Sequence, residues 1–244
     1  MPRWLKVFPL VVALSGAPIF MLPGSAAAKL EAGLGLSLTW PQGEFKEEVD
    51  FAWGGGFRLG YGFNEEAPGG ASLFFDLSYL NYGRERRIEP FSTTIPDVVV
   101  DVVTNNYMVL ASPGVSIGLR RGWFRPYGEF FGGFTYIATS TKIENRGLPG
   151  QEIASSTNFS DWTYNLGFGG GVKVPLWRRP APGGKQEIEL SEALLDVKFN
   201  YIKGGEAVYL KKGSIRRENG QVRYDLYEST TDLFQARIGV SFRF

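Results

Sequence analysis

The chain contains no cysteine and no histidine. Without cysteine there are no disulfides, no thiolate metal sites and no thiol nucleophiles. Without histidine the commonest general base and metal ligand is gone, which excludes Ser–His triads and His-containing zinc centres. Charge of one sign is also missing. Against 26 Lys and Arg stand 25 Asp and Glu, and a net charge of +1 offers no basic field for nucleic acid. Beyond residue 28 no apolar run approaches the roughly 20 residues that a membrane helix needs. A mean hydropathy of −0.11 is likewise too polar for a bundle of such helices.

What is present is glycine, 32 residues of it, and aromatics at 15%. The length of 244 residues suits a single all-β domain. The N-terminus reads as a targeting segment. Arg3 and Lys6 precede a largely apolar stretch over 7–22, and Ala26, Ala27 and Ala28 supply a small-residue cleavage site. The expected domains are therefore a signal peptide over 1–28 and a mature chain over 29–244, beginning at Lys29.

The mature chain repeats with period two. In KLEAGLGLSLTW the even positions from Leu30 to Trp40 are all apolar, and the odd positions from Glu31 to Thr39 are small or polar. In FAWGGGFRLGYGF bulky Phe51, Trp53, Phe57, Leu59, Tyr61 and Phe63 alternate mostly with glycine. A helix keeps neither set on one face, and the glycine content argues against helix as well. Similar alternation is read over 71–83, 107–120, 125–139, 161–176, 194–202 and 233–244. The fifth of these eight segments is the least regular, because Phe130 and Phe131 are adjacent. Segments of about ten residues match a tilted membrane strand.

These segments predict an all-β, transmembrane, antiparallel up-and-down β-barrel of eight strands, with ten as the alternative. The stretches 98–104 and 207–227 would supply the extra hairpins; they are read instead as strand extensions above the membrane. Short connections at 64–70 and 121–125 suit periplasmic turns. The polar stretches 41–50, 84–106, 141–160 and 203–231 suit extracellular loops. The long connection 177–189 breaks that rule.

Alternation alone does not say which face is inside. Volume decides: on the order of forty bulky side chains do not fit the interior of an eight-stranded barrel, whereas a Gly-Ser-Thr-Asn face does. The apolar face therefore points outward, and so large an apolar surface requires lipid. Trp40, Trp53, Tyr79, Tyr107, Trp162 and Tyr201 fall toward the outer strand ends as one aromatic girdle. Phe63, Trp123, Trp177 and Phe244 fall toward the other. The same parity places Arg58, Asp76, Lys173, Asp196, Lys198 and Arg237 in the lumen, with Glu129 joining them if the fifth strand's parity allows. Both signs occur, so the reading is a salt-bridged plug, with a polar conduit as its rival.

NLGFGGGVKVPL at 165–176, LDVKFNYIKGG at 195–205 and the ending FQARIGVSFRF at 234–244 together resemble the outer membrane protein A-like small β-barrel family. The resemblance covers the mature chain and is one of pattern. It implies a bacterial outer-membrane location. It also implies that the final strand, with Phe242 and Phe244, is the signal read by the barrel-assembly machinery. The chain stops at Phe244 without a periplasmic domain, so the peptidoglycan tethering of longer relatives is not expected. Outer-membrane barrel enzymes of similar architecture generally rely on histidine, which is absent here.

The expected function is therefore structural or surface-interacting: a mostly closed barrel presenting extracellular loops. A narrow channel for small hydrophilic or amphipathic solutes is the alternative, followed by a soluble periplasmic ligand-binding barrel. No enzyme, cofactor, metal or nucleic acid is expected. Expected partners are outer-membrane lipids and lipopolysaccharide, the latter through Arg84, Arg86 and Arg87 or through Lys211, Lys212, Arg216 and Arg217. The barrel is expected to be a monomer.

Overall fold

The computed structural model describes residues 29–63, 69–90, 99–146, 151–178, 190–218 and 221–244. The predicted signal peptide, the tip of the turn at 64–68 and most of the connection at 177–189 lie outside the described residues.

Eight strands close into one ring: β1 (Lys29–Pro41), β2 (Ala52–Gly62), β3 (Gly69–Pro90), β4 (Val99–Leu119), β5 (Arg125–Asn145), β6 (Glu152–Arg178), β7 (Glu192–Gly204) and β12 (Leu233–Arg243). Each is antiparallel to both neighbours, and β1 against β12 forms the seam. Closure leaves no sheet edge within the lipid, where an unpaired backbone group is most costly. Between β7 and β12 the chain makes four short strands outside the ring. These are β8 (Glu206–Tyr209), β9 (Ile215–Glu218), β10 (Gln221–Tyr224) and β11 (Tyr227–Thr230), paired β8 with β11 and β9 with β10. A single helical turn, α1 (Phe45–Glu48), joins β1 to β2.

The apolar face is outside. Leu36 and Ile117 are each 69% exposed and Trp162 is 66% exposed. Aromatic neighbours link strands along the outer wall: Tyr79 with Tyr107, Tyr107 with Tyr136, and Tyr136 with Trp162. Across the seam Trp40 contacts Phe234, which stacks on Phe199. Trp53 and Tyr201 also lie on the outward face, opposite the inward Ala52 and Ile202. At the other rim Trp123 and Trp177 are exposed, and Gly122 takes the left-handed φ of 103° that tightens the β4–β5 turn.

The wall is uneven. β1, β2, β7 and β12 run 11 to 13 residues, near the membrane-spanning length. β3 to β6 run 21 to 27 residues, so half of the wall projects beyond the lipid. This corrects two sequence expectations. The stretches 84–106 and 141–160 are for the most part ladder rather than loop: Arg84 to Pro90 pair with Asn105 to Val99, and Val100 to Asn106 pair with Asn145 to Thr139. The valine-rich run Val99 to Thr104 carries that extension, in keeping with the reading of 98–104 as a strand extension. The stretch 207–227 does not extend the strands beside it. It folds back as two small paired sheets, because the charges of its middle cannot join the apolar wall.

Candidate functional site

The interior is built in tiers, and its centre is a charge cluster. Asp76 on β3 lies opposite Arg58 on β2 in the ladder. Arg58 donates to Asp76 through Nε at 3.0 Å and Nη2 at 2.8 Å, and to Glu129 on β5 through Nη1 at 2.7 Å. Lys198 on β7 and Arg237 on β12 are also ladder neighbours, two like charges side by side. Asp76 separates them, accepting from Lys198 Nζ at 2.8 Å and from Arg237 Nη1 at 2.6 Å. Asn200 completes Glu129 at 2.8 Å, and the Arg58 guanidinium lies 3.9 Å above the Phe74 ring. Gly56 makes room for this cluster: a Cβ there would collide with the Arg237 guanidinium.

Below, toward the termini, Glu31 holds Arg243 across the seam and Lys173 from β6. Glu192 takes Arg125 in a fork, at 2.8 and 3.1 Å, together with Arg178 at 2.6 Å. Asp196 accepts the Tyr127 hydroxyl at 2.7 Å. Thus Arg58, Asp76, Glu129, Lys198 and Arg237 are brought together, while Lys173 and Asp196 belong to the neighbouring tier. The parity question in the fifth strand has a definite answer: Glu129 and Phe131 point in and Phe130 points out. Two cavities beside these tiers measure about 20 and about 10 Å³, each room for roughly one water.

Above the charges the lumen turns apolar, which the reading of a Gly-Ser-Thr-Asn interior did not foresee. Leu80, Met108, Ile137, Ile202 and Leu233 point inward and are essentially buried. Phe45 from α1 and Tyr209 from β8 descend onto them, with ring centroids 5.0 Å apart and edge to face. Tyr82 donates to the Leu210 carbonyl at 3.2 Å. Lys211 pairs with Glu48 and lies over the Tyr227 ring, strapping the β8–β11 pair to α1. The bond it donates to Glu48 holds the Lys211 ammonium above its ordinary pKa. A signal was present in the sequence: YMVLA at 107–111 is apolar on both parities, as strands buried on two faces are.

The proposed loop cations disperse. Arg87 turns inward, bonding the Ile215 carbonyl at 2.8 Å and Glu85 at 3.0 Å. Arg86 pairs with Asp101 and Arg216 with Asp225. The Arg217 side chain lies outside the described residues, and Lys212 is exposed. At the seam, Phe242 faces Ala32 in the ladder, and the Phe244 amide donates to the Leu30 carbonyl at 2.9 Å. Among the described residues no cluster of carboxylates has the arrangement of a metal site.

A closed antiparallel ring with an apolar outer wall, aromatic belts and paired charges inside defines an outer-membrane β-barrel. The chain belongs to the outer membrane protein beta-barrel domain family, which it matches over residues 10–180, and its place is the bacterial outer membrane. Its fold is similar to solved barrels at low identity. With Neisserial surface protein A it shares 14% identity over 88% of this chain and 95% of that one, with a TM-score of 0.36. With Ail, the attachment invasion locus protein of Yersinia pestis, the values are 15%, 89%, 99% and 0.37. With a major outer membrane protein from Thermus thermophilus they are 11%, 89%, 100% and 0.42. No curated protein matches the sequence.

Proposed function

We propose that this protein is a closed barrel whose work is done outside the membrane, by the projecting half-wall of β3 to β6 and the hairpins docked against it. One observation carries the reading: the lumen is filled along its length, by the apolar cap of Phe45, Tyr209 and Leu80 and by the charge cluster around Asp76. A solute would have to unmake both. No catalytic role is proposed, because Asp76 and Glu129 are each held by more than one cation or amide.

The test is planar-bilayer conductance of the chain from Lys29, refolded and checked for heat-modifiable mobility. Wild type is expected to be silent. The Phe45→Ala, Tyr209→Ala double variant should also be silent, because the charged tier still blocks the bore. Discrete channels in wild type, altered by Arg58→Gln or Lys198→Gln, would replace this reading with the conduit.

The outer wall favours a second element of the same reading, a contact with the phosphates of lipopolysaccharide. Arg84 and Lys203 are exposed and lie on the outward parity of β3 and β7, just above Tyr79 and Tyr201. Each cation near an anionic surface contributes about 1 kcal/mol, or roughly five-fold in retention. Arg84→Gln with Lys203→Gln should lower lipopolysaccharide co-purification by about that factor per site. Retention equal to wild type would remove this contact from the proposal.

A further inference from the structure

The projecting half-wall and the β9–β10 hairpin enclose a slot of about 280 Å³, near the lower bound of small-molecule pockets. Its apolar walls are Val100, Val102 and Ile143 on one side and Ile215 and Val222 on the other. Polar groups interrupt them at two points. The Thr104 and Thr141 hydroxyls are 3.1 Å apart, so one proton lies between them and a second remains to donate.

The other point is Asn158. Thr139 pairs with Phe159 but Ser140 pairs with Thr157, so Asn158 is the extra residue of a β-bulge on β6. A bulge takes one side chain out of alternation and re-aims it, and Asn158 lines the slot. Its Nδ2 donates to the Tyr224 hydroxyl at 3.4 Å, while its Oδ1 is shut off from solvent with no partner. Whichever way the amide is turned, one of its atoms is left over. A hydroxyl, both donor and acceptor, satisfies either arrangement. The charges at the rim are already engaged: Arg87 with Glu85, Arg216 with Asp225, and Glu89 within the protein.

We propose that this slot binds a small, uncharged amphipathic molecule from the external medium, apolar at one end and hydroxylated at the other. The apolar end lies against Val102, Ile143 and Val222. A hydroxyl meets the Asn158 amide, and the Thr104–Thr141 pair donates to a second oxygen. The neutral rim disfavours an ionised ligand, which would lose hydration without gaining a counter-charge. The site stands apart from the lumen, so it does not depend on whether the bore conducts.

The probe is phenyl β-D-glucoside, titrated into the chain from Lys29 in lipid nanodiscs and followed by isoleucine methyl NMR. Saturable shifts are expected at Ile143 and Ile215, with Ile117 and Ile238 on the lipid-facing wall unmoved. Asn158→Leu should weaken binding about ten-fold by removing a buried hydrogen bond. Val222→Trp, away from the bulge, should abolish binding by filling the slot. The proposal is overturned by an absence of saturable shifts or by undiminished affinity in Val222→Trp. Equal shifts at Ile117 and Ile238 would also overturn it, because they would report partition into lipid.

Discussion

Asp76 accepts hydrogen bonds from Arg58, Lys198 and Arg237, cations on β2, β7 and β12. A buried ion pair is weak evidence for stability, since desolvation offsets much of its attraction. Removing one partner is a different matter, because it leaves charges buried without compensation. Asp76→Asn would leave Lys198 and Arg237 adjacent, with Glu129 3.4 Å from the Lys198 ammonium. The expected loss is about 3–5 kcal/mol, read from urea unfolding in lipid vesicles. A loss below about 1 kcal/mol would mean that water or a rearranged Glu129 supplies the missing charge, and the cluster would have to be redrawn. Residues of this kind were legible in the sequence. Arg58, Asp76, Lys198 and Arg237 share the polar parity of strands whose other face is uniformly apolar, and alternation needs no knowledge of pairing. Which charge meets which was not legible, because that depends on ring closure and register.

At the scale of elements, the projecting part of β3 and β4 has no lipid to hold it and relies on its own ladder and side-chain bonds. Arg86 donates to Asp101 at 2.7 Å, and that bond keeps the Asp101 carboxyl below its ordinary value of 3.8. A depressed folded-state pKa contributes stability that is present above the ordinary value and is lost as pH falls through the depressed one. Amide exchange in the outer β3–β4 ladder should therefore quicken below about pH 4 while the membrane ring stays protected. Arg86→Gln should remove that acid step; an unchanged step in this variant would assign it to another carboxylate. The β4 side of this extension is legible in the valine-rich run at 98–104, whereas 84–90 and 141–145 carry mostly charged and polar residues and read as loop, because a strand outside both lipid and core has no apolar stripe to announce it. The strands β8 to β11 were illegible for another reason. Four residues are too few to show a period, and each is held by contacts remote in sequence, such as Tyr209 on Phe45. α1 is equally dependent on such contacts, since one turn is far below the length at which a helix is stable alone.

The whole molecule has a tall side and a short side. The short strands stop near the membrane surface, and the tall ones rise beyond it with the β9–β10 hairpin packed on their inner face. This geometry puts the apolar cap and the slot on the same outer end, one sealing the bore and the other open to the medium. The eight-strand count and the outward apolar face were readable from alternation and volume. The cap was not, although the doubly apolar run YMVLA marked where the inner face ceases to be polar.

The seam between β1 and β12 sets the order of events in the life of the chain. Glu31 bonds Arg243, and Leu34 lies beside Val240 in the ladder, so the first strand waits for the last. No partial ring can satisfy every edge, and nothing shorter than the complete set of strands can be left safely in lipid. Until β12 emerges, the stripe of leucine, phenylalanine and tryptophan that later meets the bilayer has only water or other chains to meet. For this polypeptide the dangerous interval is transit, and a delay before the eleven residues of β12 arrive exposes the very surface that makes the finished wall stable.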